Sequence, residues 1–215
     1  MMQTMPMMRM MRMMRTFPAV LAGIGVLLLA SCASAPDDSS RLYDLGALPA
    51  HAAPPAGLPP LPAISVAEAK TPAWLDSQRM FYRLDYADGR QPRSYANSLW
   101  TMSPGQLFVQ RLASRLAQEG GVVAPASAGA LNLPTLYLET DDFSQIFDGP
   151  SHSYGLVEIR ASLFDGRVLR AQKTFVQRVP AATPDARGGA AALAQASDAA
   201  IDGIATWLAN LPARK

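Results

Sequence analysis

Apolar and polar residues alternate most regularly along residues 154–164. Val157, Ile159, Ala161 and Leu163 share one side there, with Glu158, Arg160 and Ser162 on the other. A period of two marks a strand with one face in a core. Asp165-Gly166 follows as a hairpin turn signal, and residues 167–179 read as the returning strand. Its alternation slips phase between Leu169 and Ala171, which predicts a bulge. Further strands are predicted at 41–48, at 63–69 with Ile64 and Val66 on one side, and at 135–148. Another covers 79–86 and runs into an Asp88-Gly89 turn. Residues 92–100 start on a proline and are rich in turn formers, so they predict a short or edge strand.

The period changes to 3.6 in two places. Ser103-Pro104 supplies an N-cap and a proline for the first turn. Val109, Leu112, Ala113 and Leu116 then lie at i, i+3, i+4 and i+7, with Gln110, Arg111, Ser114, Arg115 and Gln118 on the other faces. Gly120-Gly121 ends this helix. A second opens at Pro184 and Asp185 and stops before Pro212. Leu193, Ala196, Ala200, Ile204 and Trp207 form its stripe, joined by Ile201 and Leu208. Alanine dominates it, so it can approach a sheet closely. The fold class predicted is α+β: a mostly antiparallel sheet with two main amphipathic helices on one face, in a single domain over 41–211. Six prolines from Pro49 to Pro62 make the intervening stretch a surface loop.

The N-terminus follows a different pattern. Arg9, Arg12 and Arg15 precede an apolar run from Phe17 to Ala30, with no acidic residue before Cys32. The run is shorter than the roughly 20 residues a membrane-spanning helix needs, and fits a secretory signal peptide over 1–31. Leu29-Ala30-Ser31-Cys32 looks like a lipobox, with cleavage between Ser31 and Cys32. Cys32 is the sole cysteine of the chain, so it has no partner for an internal disulfide. The resemblance makes it the lipidation site, carrying palmitate-type acyl chains. Residues 32–40 are then the lipidated end and a short tether. Ala33 rather than Asp after Cys32 favours the periplasmic face of the outer membrane. Loss of the leader removes three arginines and leaves 16 basic against 17 acidic residues. That balance gives no support for nucleic-acid binding.

Candidate chemistry is sparse. No G-x-S-x-G, H-E-x-x-H, P-loop or G-x-G-x-x-G occurs in the chain. His51 lies in the proline loop. His152, with Asp141, Asp142 and Asp148 upstream, could face a cation, but the spacing matches no known loop geometry. No catalytic residue, metal or cofactor is assigned. Aromatic residues concentrate over 74–100, where they serve as packing or as a partner surface. Trp74, Tyr82, Tyr95 and Trp100 are the candidate partner contacts.

The stretch 74–118 carries a family resemblance. Trp74-Leu75-Asp76-Ser77, Tyr82-Arg83, Tyr95-Ala96-Asn97-Ser98-Leu99-Trp100 and Pro104 with its helix are similar to the pattern of the ABC-type transport auxiliary lipoproteins, the PqiC-like family found beside MCE-domain lipid transport systems. Leu99 departs from it, since the family often has arginine there. The resemblance implies a non-enzymatic envelope subunit. It would be anchored by acyl chains and work with an MCE-domain protein and an ABC permease and ATPase in lipid transport and membrane integrity. A homo-oligomer is compatible with it. The partner contact is expected at the aromatic region or at an exposed sheet edge. The alternatives are a lipid- or lipopolysaccharide-binding lipoprotein with its own hydrophobic cavity and, more remotely, an envelope hydrolase.

Overall fold

The computed structural model describes residues 40–49, 61–129 and 133–212. The signal peptide, Cys32 and the tether to Ser39 lie outside the described residues, as do His51 and most of the proline-rich loop. The described chain is α+β, with an eight-stranded mixed sheet.

The spine of the sheet is β6 (Thr135–Gly149). Along one side it pairs antiparallel with β7 (His152–Asp165), which pairs antiparallel with β8 (Val168–Pro180). This is the region where alternation is strongest in the sequence. The predicted bulge is present: Leu163 pairs with Ala171 and Phe164 with Leu169, leaving Arg170 as the extra residue. The other side of β6 is shared by two short groups. Its beginning pairs with β2 (Ile64–Val66), and β5 (Val123–Pro125) lies beyond β2, both joins parallel. Its end pairs in parallel with β3 (Arg79–Leu84), followed by β4 (Gly89–Trp100) antiparallel and β1 (Arg41–Tyr43) parallel. The long ladders are antiparallel, whereas the parallel joins span only two or three residues each.

Several boundaries move from their sequence expectations. The first strand stops at Tyr43, because the Asp44 carboxylate accepts the Gly46 N–H at 2.7 Å and Gly46 adopts φ +73°. The third stops at Leu84, where a single helical turn, α1 (Asp85–Asp88), replaces the expected extended residues. The fourth is 12 residues long and interior, since β1 flanks it.

The first long helix, α2 (Pro104–Gln118), is capped as expected: the Gln106 side chain accepts the Ser103 N–H at 3.2 Å. Its buried face is rotated from the predicted stripe. Phe108, Arg111, Leu112, Arg115 and Leu116 are buried, while Val109 and Ala113 are half-buried. The second, α3 (Ala186–Ala209), buries Leu193, Ala196, Ala200, Ile201, Ile204 and Leu208 as the stripe predicted, with Trp207 half-buried against Phe175. Asp185 caps it by accepting the Gly188 N–H at 2.8 Å. That bond holds the Asp185 carboxyl below its usual pKa.

Close approach of α3 to the sheet depends on small residues. A Cβ at Gly155 would stand 2.7 Å from the Leu193 backbone nitrogen. The core between helices and sheet centres on Leu75, Met80, Trp100, Phe108, Phe143, Ile159 and Leu193, all fully buried. Each large side chain so buried contributes about 1.5–3 kcal/mol.

Candidate functional site

The aromatic residues singled out in the sequence do not form one surface. Trp100 is 0% exposed and packs edge-on against Phe143 at 5.5 Å. A ring so enclosed cannot meet a partner on the folded domain, and this corrects the expectation for Trp100. Along β3, alternation sends Phe81 and Arg83 to one face and Tyr82 to the other. Half-buried Trp74 packs edge-on against Phe81 at 5.3 Å, with the Arg83 guanidinium 4.9 Å from its ring centroid. On the opposite face, Tyr82 stacks on Tyr95 at 4.7 Å. Tyr95 donates to Gln145 Oε1 at 2.8 Å, and Gln145 Nε2 donates to Ser153 at 2.8 Å. Burial pushes the Tyr95 hydroxyl well above its usual pKa, so it acts as a hydrogen-bond donor at any physiological pH. These three rings are engaged chiefly with neighbours inside the domain.

The acidic group around His152 is also dispersed. Asp141 binds Arg160 at 2.6 Å, whereas Asp142 accepts the Ser144 hydroxyl at 2.5 Å and faces Arg83 at 3.5 Å. Burial raises the Asp142 pKa, and Ser144 and Arg83 pull it partly back. Among the described residues, no three His, Cys, Asp or Glu side chains are grouped to hold a metal ion.

Sequence reading missed the polar contact between the helices. Arg111 clasps Asp198 with two bonds, Nε to Oδ1 at 2.6 Å and Nη2 to Oδ2 at 2.8 Å. Its third arm donates to the Gly46 carbonyl at 3.0 Å, and Arg115 donates to the Pro49 carbonyl at 3.3 Å. The two arginines therefore tie the chain leading from β1 to the helix pair. Charge at i and i+4 on a helix normally reads as a solvated face, and only the acids at 198 and 202 hint otherwise.

What stays open is the far side of β6 to β8. Tyr137 is 49% exposed and packs edge-on against Phe164 at 5.4 Å. Beside them Arg160 bridges Glu139 at 3.0 Å as well as Asp141. Among the described residues β8 pairs with β7 alone, so its outer backbone groups end the sheet. Val168, Leu169 and Val176 on this strand are exposed. Two open grooves, of about 260 and 370 Å³, flank Asp44–Gly46 on the opposite edge. No helix among the described residues is long and apolar enough to cross a membrane.

Comparison with known proteins places this geometry. No functionally curated protein matches the chain. A crystal structure of a Xanthomonas campestris protein of the DUF330 family shares the fold with a TM-score of 0.67 at 18% identity, covering 78% of this chain and 94% of its own. A crystal structure of an uncharacterized protein does so with a TM-score of 0.60 at 19% identity, covering 79% and 99%. A family model described as the ABC-type transport auxiliary lipoprotein component matches residues 43–205, which takes in every strand from β2 to β8 and nearly all of α3. The chain belongs to the ABC-type transport auxiliary lipoprotein component family.

Proposed function

We propose that this chain is a periplasmic lipoprotein held on the outer membrane as the non-enzymatic auxiliary subunit of an MCE-type ABC system that moves lipid between membranes. The observation that carries the reading is the junction of two parts. Leu29-Ala30-Ser31-Cys32 ends a signal peptide, and a domain of the transport auxiliary family begins 11 residues later at Tyr43. Acyl chains on Cys32 contribute about 0.8 kcal/mol for each buried methylene, and two or more give stable anchoring. The domain supplies attachment and docking, while the ATPase of the system supplies energy.

Substituting Cys32→Ser tests the anchor. Fractionated Gram-negative envelopes should hold the wild-type protein in the outer membrane, with an intact mass that includes the diacylglyceryl group. The variant should lose that mass and leave the outer-membrane fraction. Unchanged outer-membrane fractionation of the variant would overturn the reading. Isolation of the native protein from solubilised envelopes should bring with it an MCE-domain protein or an ABC permease, and their absence would remove the transport role.

A further inference from the structure

We propose that the free edge of β8 is a docking strand that takes an extended acidic segment of a periplasmic partner by strand addition. This deepens the transport reading and rests on it. The strand is 13 residues long and pairs on one side only among the described residues, so a second strand can complete its hydrogen bonds. Val168, Leu169 and Val176 are 65%, 49% and 41% exposed, which supplies apolar surface for an added chain to cover.

Charge selects the occupant. Between Val168 and Pro180 the strand carries Arg170, Lys173 and Arg178 and no acid. Arg170 is engaged by the Asp165 carboxylate and the Pro212 carbonyl, each at 3.5 Å, while the Lys173 ammonium lies 5.2 Å from the Phe175 ring, so Lys173 and Arg178 are the cations an incoming strand would meet. Lys173 and Arg178 are both exposed. Cations on an edge strand repel a second identical edge, because like charges directly opposite each other across a ladder are destabilising. The same residues pair favourably with glutamates on an incoming strand. A second copy of this chain is therefore disfavoured, and an acidic strand from a different protein is favoured.

Position agrees. The sheet runs β1, β4, β3, β6, β7, β8 from one edge to the other. Five spacings of roughly 4.8 Å put β8 about 24 Å across the sheet from β1. The chain reaches β1, at Arg41, from Cys32 through nine Cα steps. The anchored edge and the docking edge are thus opposite edges of one sheet.

Lys173 shares the Phe175 face of β8 and Arg178 the Val176 face. The test therefore uses the full-length lipidated protein in detergent micelles and two ten-residue peptides in which pairs of Val alternate with pairs of either Glu or Lys, which puts charge on both faces. Backbone hydrogen exchange along β8 should slow by about tenfold with the Glu peptide and not with the Lys peptide. The double substitution Lys173→Glu and Arg178→Glu, at two exposed positions, should reverse that preference while leaving the thermal midpoint near wild type. Equal protection by both peptides, no protection on β8, or protection that rises with protein concentration alone would overturn the proposal. Isolation from solubilised envelopes reads the transport role separately. Peptide selectivity without any co-isolated ABC or MCE component sinks the role and spares the edge. Co-isolation that survives the double substitution sinks the edge and spares the role.

Discussion

Arg111 and Arg160 each bind carboxylates through two contacts, but they sit on opposite sides of the same sheet. Between the helices, the Arg111 side chain is 7% exposed and that of Asp198 20%. On the open face, Arg160, Glu139 and Asp141 are 39%, 34% and 33% exposed. Water screens the second group more than the first, so similar bonds carry different weight. The helix face is thereby fixed around a closed core, with the chain from β1 strapped to it through the Gly46 and Pro49 carbonyls. The other face keeps polar, adaptable side chains and ends in an open strand. This division suits the proposed role of a tethered domain that receives a partner. The closed side holds the shape, and the open side is left for contact.

The sharpest way to break the comparison is to remove the buried cation. Arg111→Met should lower unfolding free energy by about 3 kcal/mol, because Asp198 is left largely enclosed without its bidentate partner. Urea denaturation measures this. Adding Asp198→Leu should recover most of the loss, since two apolar residues suit that site better than one carboxylate. A loss under about 0.5 kcal/mol in the single variant would mean that the pair is solvated like a surface pair.

A smaller effect is expected at the contact between α3 and β7. Gly155→Ala places a methyl against the helix backbone, 2.7 Å from the Leu193 nitrogen, so α3 must lift. About 1–3 kcal/mol should be lost, read again by urea. Gly203→Ala is the control. Its Cβ would meet the Phe175 ring at 3.1 Å, and a small shift of one side chain is easier to accommodate than a displaced helix. Equal losses at the two positions would show that α3 is not seated by Gly155.

Much of this arrangement was legible along the chain, and the rest fails for identifiable reasons. The hairpin of β7 and β8, with its bulge at Arg170, is local, so period and turn residues suffice to predict it. The stripe of α3 is legible for the same reason. Strand β2 falls within the strand predicted at 63–69, but its parallel join to β5, between Ile64 and Val123, spans 59 positions, and the three residues of β5 carry no local pattern that reports them. Arg111 reads as a solvent-side residue because its partner lies 87 positions away. Trp100 and Tyr95 look alike in sequence, yet one is sealed against Phe143 and the other donates to Gln145. The paired glycines Gly188-Gly189 were the available signal for that polar cluster, since a Cβ at Gly189 would run into the Gln145 side-chain oxygen. The proposed anchor is the reverse case: its lipobox is read from the sequence alone, because Cys32 lies outside the described residues.

The smallest effect is the most discriminating about the open face. Arg160→Gln removes the central cation from Glu139 and Asp141, which remain free to turn to solvent, and should lower the urea midpoint only slightly. Raising ionic strength to about 1 M shortens the screening length to roughly 3 Å, and the difference from wild type should then vanish. The Arg111→Met loss should largely persist in the same salt, because the Arg111 side chain is only 7% exposed and a partly buried pair is screened much less. If the Arg160→Gln loss also survives high salt, then that face is covered in solution by something that excludes water. The division between a closed side and an open side would then have to be redrawn around the new cover.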